Sequence, residues 1–301
     1  MTILSLDRVT KAFGDRKVLT DLSFTVGEGE IFGMLGPNGA GKSTTFNLIC
    51  NLLLPDQGEV QLAGTTAALA PRGTLGVVAQ NISLYKNLSC RENLAFFGSL
   101  YGLSGATLAK RVDACLADIN LADRRNSLAR DLSGGMQRRL HLGIALMHEP
   151  KLLILDEPSA GLDVEARRDL WALLRRLQQA GLAILLTTHL LDEAEALCAR
   201  IGILQSGTLV AVGTPEALRG RVRAVEIAYL QSPAPEEVIA RATQHGLTTR
   251  QHEAGVIVWL SQRLELREIL TLFEGVPVTS LARRPVTLED AYVEIMTGMA
   301  S

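Results

Sequence analysis

The chain has 301 residues, 47% hydrophobic and 21% charged, with a formal net charge of -2. That length predicts one large domain and a small one, and that charge excludes the broad basic surface of a non-specific nucleic-acid binder, so no nucleic acid is expected among its partners. Cys50, Cys90, Cys115 and Cys198 lie far apart with no CxxC pair, which points away from a disulfide framework or a zinc site and fits a reducing cytosol.

From Ile3 to Val26 short alternating segments, with Leu22, Phe24 and Val26 on one face, predict antiparallel strands. Asp7 and Arg8 interrupt any signal-peptide core there, and no apolar run in the chain reaches bilayer-spanning length, so membrane work would pass through a partner. Ile31 to Leu35 reads as a compact strand, a glycine-rich turn follows, and Thr44 to Leu54 reads as a helix ended by Pro55. Leu152 to Leu155 and Ala183 to Leu186 are apolar runs flanked by helical patterns, as buried parallel strands are. Between them Glu165 to Ala180 sets Leu170, Leu173, Leu174 and Leu177 on one face, which predicts an amphipathic helix over the sheet.

A strand pair, Ile201 to Leu204 and Thr208 to Val212, and a short helix near Pro215 precede a change of composition at Gly220. The boundary is placed there, giving domains 1–219 and 220–301. In the tail, strands are expected at Val222 to Leu230, Leu247 to Gln251, Val256 to Leu260 and Val276 to Leu281. With helices at Glu236 to His245 and Leu264 to Phe273, the order β-α-β-β-α-β predicts a small α+β, ferredoxin-like sandwich, closed by a helix from Leu288 to Met296.

Gly36-Pro37-Asn38-Gly39-Ala40-Gly41-Lys42-Ser43-Thr44 satisfies GxxxxGK[ST] between a strand and a helix. Glycines let backbone N–H groups turn inward around phosphate oxygens, and the helix N-terminus adds partial positive charge. Lys42 then reaches the β- and γ-phosphates, and the Ser43 hydroxyl is a ligand for Mg²⁺. The strand Leu152 to Leu155 delivers Asp156 and Glu157 to its C-terminal end, where open α/β sheets bind ligands. Asp156 suits the Mg²⁺ coordination shell, and Glu157 suits a water attacking the γ-phosphate. Leu132-Ser133-Gly134-Gly135-Met136-Gln137 begins 24 residues before Asp156. Ser133 caps a helix through Leu140 and Ile144, whose free N–H groups at Gly134 and Gly135 face an anion.

This segment resembles the LSGGQ signature of ATP-binding cassette proteins, and the resemblance covers essentially Met1 to Gly220 in the family's motif order. It implies a P-loop α/β cassette: a parallel core sheet, an antiparallel N-terminal β-subdomain and a helical signature subdomain. It also implies roles. Phe13 stands where an aromatic stacks on adenine, and Gln80, after Leu75 to Ala79, where the Q-loop glutamine links Mg²⁺ and water to the membrane partner. Ser159-Ala160-Gly161-Leu162-Asp163 resembles the D-loop, and His189 the switch histidine on the γ-phosphate. In the family each ATP is held between one chain's P-loop and the signature of a second, so Ser133, Gly134 and Gly135 are expected to act in trans across a head-to-tail dimer of like or related cassettes.

Leu84 to Leu103 and the ending with Pro285, Thr287, Leu288, Glu289, Asp290 and Tyr292 resemble cassettes of the drug and antibiotic exporter group. Phe96, Phe97, Leu100 and Tyr101 are expected mostly as helix core, with the surface after Gln80 as the seat for a cytoplasmic helix of a membrane subunit. The expectation is an ATP- and Mg²⁺-dependent ATPase at the cytoplasmic face of the membrane, driving a separate permease. A chromosome-maintenance ATPase is excluded because only 114 residues separate Lys42 from Asp156, too few for its long coiled coil, and a two-cassette ribosomal factor because there is one cassette. A non-hydrolysing regulatory cassette would lack Glu157 or His189. An importer engine, or a regulatory cassette with little hydrolysis, remains the alternative.

Overall fold

The computed structural model describes residues 1–222, 224–252 and 255–298, and the chain divides into two compact units, Met1–Thr214 and Pro215–Ser301. In the first, β1 (Thr2–Phe13) and β2 (Arg16–Gly27) form the expected antiparallel hairpin, with Leu4, Leu6, Leu22 and Val26 nearly or fully buried on its inner face. After β3 (Ile31–Leu35) and α1 (Lys42–Ile49), β4 (Gln57–Leu62) and β5 (Thr65–Thr66) extend that hairpin into a sheet of order β2-β1-β4-β5.

A second sheet holds the chemistry. β6 (Leu75–Val78) leads into a helical stretch of α2 (Cys90–Leu100), α3 (Gly105–Asp118) and α4 (Gly134–Leu146). The chain then re-enters the sheet through β7 (Leu152–Asp156), α5 (Val164–Gln179), β8 (Ala183–Thr188), α6 (Leu191–Leu197), β9 (Arg200–Gln205) and β10 (Thr208–Gly213). The order is β10-β9-β3-β8-β7-β6, parallel throughout except for the β9–β10 edge pair. β3 is buried at every residue, as a strand covered on both faces must be. Phe32, Met34, Ile154 and Leu185 of this sheet share one core with Leu4, Leu22 and Phe24 of the first and with Phe46 and Leu48 of α1. The carboxyl ends of β3, β7 and β8 therefore open side by side on one edge.

α1 stops at Ile49, well short of Leu54. Asn51 adopts φ 55, and the Asn51 and Leu52 N–H groups donate to the carbonyls of Leu48 and Asn47, a Schellman ending that uses Asn in the left-handed region. Pro55 is downstream of a stop already made.

The second unit starts with α7 (Pro215–Arg219), ahead of the boundary expected at Gly220. It continues with β11 (Glu226–Gln231), α8 (Pro235–Gln244), β12 (Thr249–His252), β13 (Gly255–Leu260), α9 (Leu266–Leu272), β14 (Ser280–Pro285) and α10 (Leu288–Thr297). Its sheet, β12-β13-β11-β14, is antiparallel between all neighbours, the ferredoxin-like order. Val238, Ala242, Ile269 and Phe273 from α8 and the end of α9 cover one face, and Ala291 of α10 packs with Ile227, Ile257 and Trp259 on the other. Two strand expectations shift. Val276 and Val278 are loop residues packed onto the helix-covered core, and Val222 is buried ahead of β11, so apolar loops imitated strand patterning. Arg223, inside the strand expected from Val222, lies outside the described residues.

Candidate nucleotide site

The loop after β3 turns at Gly36 and enters α1 through Gly41, whose φ of 114 is open only to glycine and whose missing Cβ would sit 2.6 Å from Leu19 Cδ2. Hairpin β1–β2 thus packs beneath the loop. Lys42, at the first position of α1, is buried, and its ammonium donates to the carbonyls of Gly36 at 2.6 Å and Pro37 at 3.2 Å. Burial lowers its pKa, while Glu157 and Asp156 pull the other way, so the loop carries its cation against two carboxylates. Ser43 is exposed and Thr44 half-buried on the first turn of α1. Thr45, which the motif does not name, is the buried residue, its hydroxyl donating to the Gly41 carbonyl at 3.0 Å.

Asp156 ends β7, held by the Thr187 hydroxyl of neighbouring β8. Glu157 follows in the left-handed region at φ 47, its N–H donating to the Thr187 carbonyl at 3.0 Å. That turn throws its side chain back across the strand ends. Gln80 Nε2 donates to Glu157 Oε2 at 3.3 Å, and His189 Nδ1 lies 3.0 Å from Glu157 Oε1. Two residues, 77 and 32 positions from Glu157 in the chain, therefore meet on its carboxylate. The sheet explains it: β6, β7 and β8 are parallel neighbours, and each supplies one of the three from its carboxyl end.

The signature residues stand apart. Ser133 caps α4 by accepting the Met136 N–H at 3.3 Å, and Ser133 and Gly134 are exposed. A Cβ on Gly135 would come 2.8 Å from Ala166 Cβ, which sets the start of α4 tightly on the start of α5. Asp163 caps α5 through the Ala166 N–H at 2.8 Å. Among the described residues, Ser133, Gly134, Gly135 and Asp163 form no hydrogen bond to Gly36–Thr44 of the same chain. Phe13 sits at the β1–β2 turn, 49% exposed, with Lys11 Nζ 5.7 Å from its ring centroid.

The ABC transporter family model matches residues 19–160. The Nod factor export ATP-binding protein I of Rhizobium meliloti (strain 1021) is 38% identical over 95% of this chain and 86% of its own length. The chain belongs to the ATP-binding cassette family of transporter subunits. The linearmycin resistance ATP-binding protein of Bacillus subtilis (strain 168) is likewise 38% identical, over 73% of this chain and 72% of that protein. Among solved structures, an ATP-binding subunit of an ABC transporter superposes with a TM-score of 0.65 at 33% identity, covering 73% of this chain and 92% of that one. A Clostridium perfringens cassette described as part of the ABC transporter complex cbiONQ gives 0.69 at 26% identity, covering 81% and 95%. The cassette binds ATP and is an ATPase.

Sequence reading passed over Thr187, which holds both Asp156 and Glu157, and over the buried Arg138 and Glu193 and the half-buried Trp171 behind the site. It also misplaced an aromatic group. Phe96, Leu100 and Tyr101 are 39%, 66% and 45% exposed rather than helix core. Leu100 and Tyr101, with Phe97, line a cleft of about 1310 Å³ that reaches from Cys50 and Leu75 to Tyr101 and His148, while Phe96 packs edge-on against Tyr85 and Phe97.

Proposed function

We propose that this cassette is the ATP-hydrolysing subunit of an exporter, working as a head-to-tail dimer beneath a separate membrane subunit, on the cytoplasmic face of the membrane. The observation that carries it is the convergence of Gln80 and His189 on Glu157 at the strand ends beside Lys42. A carboxylate held from two sides is prepared to orient and deprotonate a water attacking the γ-phosphate. The Gly36–Thr44 backbone and Lys42 hold the β- and γ-phosphates, and Phe13 presents an open ring to adenine. The donor set also fits Mg²⁺. Ser43 gives a hydroxyl, Asp156 a carboxylate, and Gln80, whose nitrogen is spent on Glu157, an amide oxygen, all hard ligands. Bound there, the ion would neutralise charge on the β- and γ-phosphate oxygens.

Ser133, Gly134 and Gly135 of a second copy complete the site, a reading supported by the exposure of Ser133 and Gly134 and, among the described residues, by the lack of a hydrogen bond from any of the three to their own P-loop. The export direction rests on the relatives, since the Nod factor export protein matches 95% of the chain, tail included. Among the described residues no helix is long and apolar enough to cross a membrane, so the translocating path is assigned to a partner. Its cytoplasmic helix is proposed to seat in the cleft beside Phe97, Leu100 and Tyr101, whose lining includes Leu75 and Val77 of β6, the strand that leads to Gln80. The unit Pro215–Ser301 is read as an accessory domain.

Glu157→Gln keeps the side chain's shape and loses the base. ATP binding is expected to persist, hydrolysis to fall by on the order of a hundredfold or more, and ATP to drive a lasting dimer visible by gel filtration. Turnover at the wild-type rate would remove Glu157 from this role.

A further inference from the structure

Behind the three catalytic groups lies a buried carboxylate to which the hydrolytic scheme gives no task. Glu193, on α6 four positions beyond His189, is 0% exposed. The Ser159 hydroxyl, two positions beyond Glu157, donates to Glu193 Oε1, and Trp171 Nε1 of α5 lies 3.2 Å from both oxygens. Trp171 is itself held from outside. Arg167 stacks 5.4 Å from its ring and pairs with Asp192 at 3.0 Å, the residue before Glu193. Across the interior Arg138 of α4 is 4% exposed and donates to the carbonyl of Ala79, the residue before Gln80, at 3.2 Å.

The segment Glu157–Ser159 and the segment His189–Glu193 are thus joined twice: in front by Glu157 and His189, and behind by Ser159 and Glu193. The front bond must yield when water and γ-phosphate engage those groups. The rear bond is out of their reach. A buried carboxylate is costly to retain for packing alone, and burial does push the Glu193 pKa up against the hydrogen bonds from Ser159, Thr188 and Trp171 that hold it down.

We propose that Glu193 is a positioning residue for ATP hydrolysis, whose hydrogen bond to Ser159 fixes the spacing between Glu157 and His189 while their own contact opens and closes. The proposal rests on the assignment of Glu157 and His189 to the hydrolytic site. Reach matters more than charge in this role. Gln can still accept from Ser159 and Trp171, whereas Asp keeps the charge but is one methylene too short.

The test is steady-state ATP hydrolysis and nucleotide affinity of the full chain carrying Glu193→Gln, Glu193→Asp, Glu193→Ala, Ser159→Ala, or Ser159→Ala with Glu193→Ala. Rates are normalised to the nucleotide-binding fraction, and Glu157→Gln is run beside them. Glu193→Ala and Glu193→Asp are expected to lose on the order of tenfold to a hundredfold in kcat, with KM for ATP within about twofold. Glu193→Gln is expected to retain more turnover than either. The double variant is expected to be no slower than its slower parent, because both changes cut one contact. Losses that multiply in the double variant would overturn the proposal, as would a kcat per binding-competent chain that stays at wild type while only thermal stability falls. Should Ala fail to fold, the order of Gln above Asp decides in the same way, and Asp equal to or above Gln overturns it. If Glu157→Gln turns over normally, the site assignment fails first. If Glu157→Gln is dead and Glu193→Asp is not impaired, only the positioning role fails.

Discussion

Glu157 occupies a left-handed backbone conformation, φ 47, in a residue type that gains nothing there. Such strain persists where the surroundings over-determine it, and here they do. The Thr187 carbonyl takes its N–H, while Gln80 and His189 take its two oxygens. Phe13 shows the opposite economy. Its ring is 49% exposed at the β1–β2 turn, and an open apolar ring is what the proposed stacking on a base requires. Because the ring is outside the core, Phe13→Ala should leave the thermal midpoint nearly unchanged while raising KM for ATP, the loss of base stacking being about 1–3 kcal/mol, with kcat at saturation retained. Nucleotide affinity measured by titration checks this. An affinity equal to wild type would mean that adenine stacks elsewhere.

At the scale of elements, what the sequence made legible follows from how locally each element is determined. The parallel strands could be read because a strand buried on both faces is a continuous apolar run, and the P-loop because its glycines and Lys42 are contiguous. The meeting of Gln80, Glu157 and His189 was anticipated only through family resemblance, since strand order is a long-range property. Glu193 and Arg138 were missed for the same reason: a charged residue on an amphipathic helix reads as solvent-facing until the partner helices are in place, and Trp171 gains its meaning only once Glu193 lies beside its indole N–H. Helix ends were misread where a non-glycine stop did the work, as at Asn51. The α10 N-terminus is the clearest case of an element held by one side chain. Asp290 is buried, its carboxylate accepts from the Thr287 N–H in a capping box, and it pairs with Arg284 at 2.5 and 3.0 Å. Burial opposes its ionisation, but the Arg284 and Thr287 hydrogen bonds and the Arg284 charge outweigh it and hold its pKa below the usual aspartate value. A depressed folded-state pKa adds stability that is present above the unfolded value, about 3.9, and is lost as pH falls through the folded one. Peptide-resolved hydrogen exchange over 288–297 should therefore show wild type better protected than Asp290→Asn near neutrality, with the gap closing as pH drops below about 4. A gap that stayed constant into strong acid would rule out the ionised pair as its source.

At the scale of the molecule, the arrangement of exposed and buried motif residues argues that one chain holds two half-sites. Lys42 is buried against its own loop carbonyls, whereas Ser133 and Gly134 present a helix N-terminus to the exterior with, among the described residues, no hydrogen bond to that loop. A helix start is an anion site, and in the proposed head-to-tail dimer it would receive a phosphate from another copy. Ser133→Arg should leave each P-loop able to bind ATP yet stop hydrolysis, because the bulky cation fills the space through which the opposite γ-phosphate approaches the helix. Lys42→Ala should lose hydrolysis through the other half-site. Mixed in equal amounts, the two dead chains form some heterodimers in which one composite site carries both defects and the other carries neither. Random pairing makes about half of all dimers mixed, each with one intact site of two, so recovery of about a quarter of wild-type ATPase is expected if the sites fire independently. Both substitutions lie in sequence outside the Pro215–Ser301 unit, so mixing can be verified by tagging that end and co-purifying the tagged and untagged chains. A mixture that stays dead despite verified heterodimers would refute independent trans-acting sites and leave strict coupling between them as the only dimer reading. Partial activity from Ser133→Arg alone would refute the signature's role altogether.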